Sequence, residues 1–104
     1  MFEGFSFEPG RITYDSYTYS PTDLTDLEWI DEDLFQVEYP NNYLLDVGWY
    51  GNYDKGIFVI YIIKDDNWEV PILETEYKDV NELYEGMQKC IVTVKELIAI
   101  KSIL

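Results

Sequence analysis

Histidine is absent from these 104 residues, and cysteine occurs once, at Cys90. Without histidine the chain lacks the side chain that ordinarily serves as general base near neutral pH. Ser-His-Asp and Cys-His sites in their common forms are therefore excluded. A lone cysteine excludes an internal disulfide and any multi-cysteine metal site, and it suits a reducing cytoplasm. No apolar run reaches the roughly 18 residues that a spanning helix needs, and no basic-then-apolar signal segment opens the chain. Neither membrane insertion nor export is expected. Gly48, Gly51 and Gly56 lack the spacing and the following helix of a dinucleotide or P-loop motif, so no phosphate cradle is expected. Positive charge is also scarce: seven Lys and Arg stand against 21 Asp and Glu, for a formal net charge of -14.

The surplus is regional. Residues 1–54 hold twelve acids and Arg11 as their one base, whereas residues 55–104 hold nine acids and six lysines. Such an excess destabilises the compact state by self-repulsion. Solubility alone is one explanation. A basic partner, such as a nuclease or a nucleic-acid-binding protein, is the sharper one. Direct binding to nucleic acid is disfavoured, because phosphate contacts need lysine and arginine. Carboxylate pairs alone are weak grounds for acid/base chemistry among so many acids, and no cofactor or metal site is expected; the loop of an EF-hand, with its spaced oxygen ligands and central Gly, is missing. The chain reads as non-enzymatic.

With 47% hydrophobic residues the chain has enough apolar material for a core. At its length a single domain, residues 1–104, buries roughly 65% of the unfolded surface. The centre is a hairpin. Tyr43–Tyr50 and Ile57–Lys64 are rich in β-branched and aromatic residues, and the link Gly51–Gly56 is short, polar and glycine-bounded. Both faces of Ile57–Lys64 are apolar, which predicts a strand covered on two sides. On the preceding strand Tyr43, Leu45, Val47 and Trp49 share one face. Leu44, Asp46, Gly48 and Tyr50 form a mixed, half-exposed one, and Gly48 suggests a bulge or close approach.

Leu34–Tyr39 alternates, with Phe35, Val37 and Tyr39 on one face, and Pro40-Asn41-Asn42 turns the chain into the hairpin. The alternation of Phe5 with Phe7, Ile12 with Tyr14, and Tyr17 with Tyr19 predicts one or two short strands before residue 20, broken at Pro9-Gly10. Ser20-Pro21-Thr22-Asp23 predicts the start of a short helix, and Asp31-Glu32-Asp33 a solvated loop. After a turn at Asp65-Asp66-Asn67, Trp68–Tyr77 reads as a strand that Pro71 confines to an edge or a bulge. Asp79 as N-cap with Glu82 behind it opens a long helix. Its stripe is Val80, Leu83, Tyr84, Met87, Ile91, Val94 and Ile98, with Cys90 on the flank as a small core residue. Glu85 and Lys89 stand at a favourable i,i+4 spacing. The predicted fold is α+β: an antiparallel sheet of four to six strands, a meander centred on residues 43–64, with one long C-terminal helix packed on it.

Leu27–Tyr39, followed by Tyr43–Tyr50, Gly56–Tyr61, Asn67–Pro71 and a terminal amphipathic helix, resembles small bacterial immunity proteins. These are the contact-dependent growth inhibition immunity proteins and their relatives from polymorphic toxin systems. The resemblance covers residues 27–97 by general pattern, and residues 1–26 carry none of it. It implies a non-enzymatic cytoplasmic protein that binds the toxin of its own system, usually a nuclease, and blocks its active site. Toxin-contacting positions vary within that family, so no residue role transfers.

The candidate partner-binding residues come from charge and aromatic character. They are Asp23, Asp26, Glu28, Asp31, Glu32 and Asp33, extended by Asp54 and by Asp65 and Asp66, with Tyr53 or Trp68 as aromatic anchors. Their expected role is carboxylate pairing with cations of a basic nuclease toxin, ribonuclease favoured. Two readings of other classes stay open: an acidic nucleic-acid mimic that inhibits a DNA-handling complex, and a small acidic adaptor.

Overall fold

The computed structural model describes residues 2–15, 30–51 and 56–103. Within them five strands form one antiparallel sheet in chain order: β1 (Arg11–Asp15), β2 (Ile30–Tyr39), β3 (Tyr43–Gly51), β4 (Gly56–Lys64) and β5 (Leu73–Tyr77). One long helix, α1 (Val80–Ile103), follows. The architecture is the α+β arrangement that the alternation and the helical stripe predict.

The central hairpin forms in the expected register. Tyr43 pairs with Lys64 at one end and Gly51 with Gly56 at the other. Phe35, Val37, Leu45, Val47, Ile60 and Ile62 are fully buried on one face. Against them the helix lays Leu83, Met87, Cys90, Ile91 and Val94, all buried. We call this the helix face of the sheet and the opposite one the far face. Trp49 and Phe58 meet edge to face, with ring centroids 4.8 Å apart. Gly56 sits under the Trp49 indole, where a Cβ would overlap the ring, so a larger residue there must displace the indole. Gly86 gives the helix a similar close approach to the Tyr77 ring.

The helix begins as its sequence predicts. The Glu82 N–H donates to Asp79 Oδ1 at 2.8 Å, and Glu82 Oε2 accepts from the Lys78 N–H at 3.0 Å. Cys90 is a core residue, and burial raises its thiol pKa above the ordinary value. Glu85 and Lys89, one turn apart and both exposed, do not pair.

Several expectations need correction. Phe5 and Phe7 form no strand. With Phe2 they make an aromatic cluster against Phe35 and Tyr84, the Phe2 and Phe35 rings 5.0 Å apart. The Gly10 N–H donates to the Phe7 carbonyl at 2.7 Å and closes the turn before β1. Packing area outweighs the alternation there, because the open end of the helix face needs a lid of apolar rings. Asp31-Glu32-Asp33 is not a loop but the start of β2, paired with Tyr50, Trp49 and Gly48. Ladder hydrogen bonds to β3 hold an acidic run that composition alone would leave in solvent. Finally, Trp68–Ile72 is a turn rather than strand, and β5 starts only at Leu73. Pro71, with no N–H to donate, marks that delay.

The irregularity suspected at Gly48 lies on the neighbouring strand. Asp33 pairs with Gly48 and Phe35 with Val47, so Leu34 is an extra residue in β2. This bulge lets Leu34 and Phe35, adjacent in sequence, both reach the core. The expected helix after Ser20, and the tyrosines at Tyr17 and Tyr19, lie outside the described residues.

Candidate functional site

Alternation in the strands assigns the far face. One cross-strand row runs through all five strands as Tyr14, Gln36, Asp46, Tyr61 and Glu74. The next row is Asp33, Gly48, Val59 and Glu76. Along its middle this face is buried, at Asp46, Gly48, Val59 and Ile63. Its flanks carry exposed acids, Asp33 and Glu38 on β2 and Glu74 and Glu76 on β5.

Asp46 is the unusual member. It retains 1% of its surface and is the one buried charged residue among those described. Gln36 donates from Nε2 to its Oδ2 at 2.6 Å, while Oδ1 has no partner. Burial, reinforced by the charge of Asp33 and opposed by the Gln36 hydrogen bond, pushes its carboxyl up to about 6. Removing a carboxylate from water without a cation costs free energy, and the shift expresses that cost.

Two ion pairs occur among the described residues. Arg11 meets Glu38 at 3.0 Å, and Lys64 meets Asp65 at 3.4 Å. Lys64 also donates to the Asn41 carbonyl and stands 4.6 Å from the centre of the Tyr43 ring. Asp33, Asp66, Glu74 and Glu76 are exposed, with no cation beside them among the described residues.

The structure sorts the candidates into three groups. Asp23, Asp26, Glu28, Tyr53 and Asp54 lie outside the described residues. Asp31 and Glu32 have a strand backbone in β2, next to Asp33, which is exposed. Asp65, Asp66 and Trp68 come together in the β4–β5 connection. There Asp65 and Asp66 both take left-handed backbone angles, with φ of 52° and 57°. The Asn67 N–H donates to the Lys64 carbonyl at 3.0 Å, closing a turn that aspartate tolerates better than most residues. Asp65 is committed to Lys64, so of this pair only Asp66 keeps a free charge. Trp68 is 46% exposed and rests one edge on Tyr61, with centroids 5.7 Å apart.

Val70 and Ile72 continue the exposed apolar stretch from Trp68. They, Glu74 and Glu76 were not among the candidates from sequence. The signal for the glutamates is present in Leu73-Glu74-Thr75-Glu76-Tyr77, where acids alternate with residues that face the helix. Among the described residues no group of three or more His, Cys, Asp or Glu side chains is arranged to hold a metal ion. No described helix is long and apolar enough to cross a membrane. Comparison with protein-family models, with curated proteins and with solved structures gives no match to this chain.

Proposed function

We propose that this is an immunity protein, which binds a cognate bacterial toxin domain in the cytoplasm and neutralises it by covering its active site. The toxin is a basic nuclease, with ribonuclease favoured, and the protein contributes no catalysis of its own. The observation that carries this reading is the set of exposed acids that meet no cation among the described residues, Asp33, Asp66, Glu74 and Glu76. Like charges kept at a surface without counter-charges weaken the fold, and a partner of opposite charge gives them a use. A nuclease holds phosphates with lysine and arginine, so its active-site rim complements such a surface. Complementary potentials raise association rates toward about 10⁸–10⁹ M⁻¹s⁻¹ at low salt. An exposed ring such as Trp68 inside an acidic rim supplies slow dissociation.

The test is co-purification from the native cell, mass identification of the bound protein, and rescue of cells that express it. The expected partner is a basic nuclease domain whose toxicity this protein abolishes. Its association with the double variant D33K/D66K should be slower at low salt by about tenfold or more, and the difference should shrink as salt rises. A partner that is not basic, or rescue that fails, sinks the proposal. So does an association rate indifferent both to salt and to these two charges.

A further inference from the structure

We infer that the outer edge of β5 receives an extended basic segment of the partner protein as an additional strand. This rests on the preceding reading that the partner is basic, and it names where and how that partner is held. Strand β5 ends the sheet of the described residues. Its pairing with β4 is unbroken from Phe58–Tyr77 to Ile62–Leu73, whereas β1, at the other end, is irregular between Ile12 and Tyr14. Residues 73–77 make no backbone hydrogen bond beyond the β4 ladder among the described residues. A regular edge with free N–H and C=O groups is a template for another strand, and no bulge, proline or lysine within β5 blocks it.

The side chains select the occupant. Glu74 and Glu76 stand exposed on the far face at alternate positions, with no cation paired to them among the described residues. A strand laid beside them places its own alternate residues about 5 Å away, where opposite charges attract and like charges repel. A second copy of this chain would bring glutamates to glutamates under a net charge of -14 per molecule. A segment alternating lysine or arginine with apolar residues fits instead. Just ahead of β5, Trp68, Val70 and Ile72 are 46%, 68% and 49% exposed, and they offer apolar contact to the end of such a segment. Pro71 lies outside the strand and withholds no ladder donor from it.

The probe is a short peptide in which lysine alternates with valine, titrated into the full chain while amide hydrogen exchange is followed. The expected result is saturable binding, slowed exchange at the outward-facing amides of residues 73–77, and roughly tenfold weaker binding to E74Q/E76Q. The same peptide N-methylated along its bonding side should lose binding altogether. Both glutamates are exposed, so E74Q/E76Q should fold, and circular dichroism checks this. Absent binding, or binding that leaves exchange at residues 73–77 unchanged, overturns the inference. If a basic nuclease is captured and neutralised while those amides stay unprotected, the edge fails and the inhibitor reading stands. If neither nuclease nor peptide binds, both fall.

Discussion

Along β3, Leu45 and Val47 bury apolar side chains against the helix, while Asp46 between them buries a carboxylate on the opposite side. The same contrast runs across the sheet. The helix face carries Phe35, Val37, Phe58, Ile60 and Ile62 and is sealed by Leu83, Met87 and Val94. The far face has glutamates and aspartates at its flanks and a carboxylate oxygen without a partner near its middle. The helix face therefore carries most of the described apolar burial, while the far face combines the buried Val59 and Ile63 with a buried charge and exposed acids. Asp33 adds its charge to the buried Asp46 from the same face, and Glu74 and Glu76 stand exposed with no ion pair among the described residues. The difference teaches that acidity here is a surface specification laid over a conventional core.

The comparison breaks most readily at Phe58. It is 1% exposed and packs on Trp49. Phe58→Ala should cost about 3–5 kcal/mol, measured by urea denaturation, because the cavity cannot collapse between sheet and helix. Glu76→Ala, at an exposed position with no ion pair among the described residues, should change stability by less than about 0.5 kcal/mol. If the two substitutions cost the same, the division of labour between the faces is wrong.

Asp46 sharpens the contrast through pH. Its carboxyl is raised from 3.8 to about 6 by burial, with Asp33 adding and the Gln36 hydrogen bond subtracting. From β4, Tyr61 faces it across the strand pair. Because the folded value exceeds the unfolded one, the folded state holds the proton more tightly. The associated stability is fully present below pH 3.8 and is lost as pH rises through about 6. The loss amounts to about 3 kcal/mol. General repulsion among the other acids has the same sign, so the informative quantity is a difference. Asp46→Asn should flatten the slope of stability between about pH 4 and pH 7, relative to the parent chain, by that amount. Parallel slopes would mean that Asp46 reaches solvent or a cation.

How much of this was legible in the sequence depends on what kind of signal each element carries. The hairpin and the helix were readable because their patterns are long and periodic: Ile57–Ile63 at period two, and Val80 through Val94 at helical spacing with Asp79 and Glu82 at the start. Phe5 and Phe7 mislead because two aromatics at alternate positions look like a strand, while their place is settled by Phe35 and Tyr84, distant in sequence. Asp31-Glu32-Asp33 misled because hydrogen bonding to β3 is invisible in composition. For the candidate surface, acid density points to the front half of the chain, and composition does not show that Asp65 is paired with Lys64. The far-face row of Gln36, Asp46, Tyr61 and Glu74 needs strand register, which a single sequence gives only once the bulge at Leu34 is placed.

Returning to the helix face, Gly56→Ala tests how tightly the hairpin closes on Trp49. The new methyl would overlap the indole, which is 6% exposed and packed on Phe58, so the ring has little room to give. The expected cost is about 1–3 kcal/mol, the range for overpacking a well-filled core. Thermal unfolding and the near-ultraviolet signal of the tryptophans should both report it. A change of a few tenths of a kcal/mol would show that the end of the hairpin is loose.

A smaller effect than those in the core concerns the cover rather than the sheet. Asp79 accepts from the Glu82 N–H, and its carbonyl accepts from the Leu83 N–H at 3.0 Å, so one residue both caps and opens α1. Asp79→Ala should cost about 1 kcal/mol, a fall in melting temperature of roughly 4–8 °C for a domain of this size. The loss stays modest because Leu83, fully buried, pins the first turn to the sheet even without the cap. Amide exchange should quicken over Val80–Leu83, while peptide binding at β5 stays within twofold, to order of magnitude, of the parent chain. Were binding to fall in step with helix stability, the helix face and the charged flank would be one cooperative unit, and the separation of their roles would have to be given up.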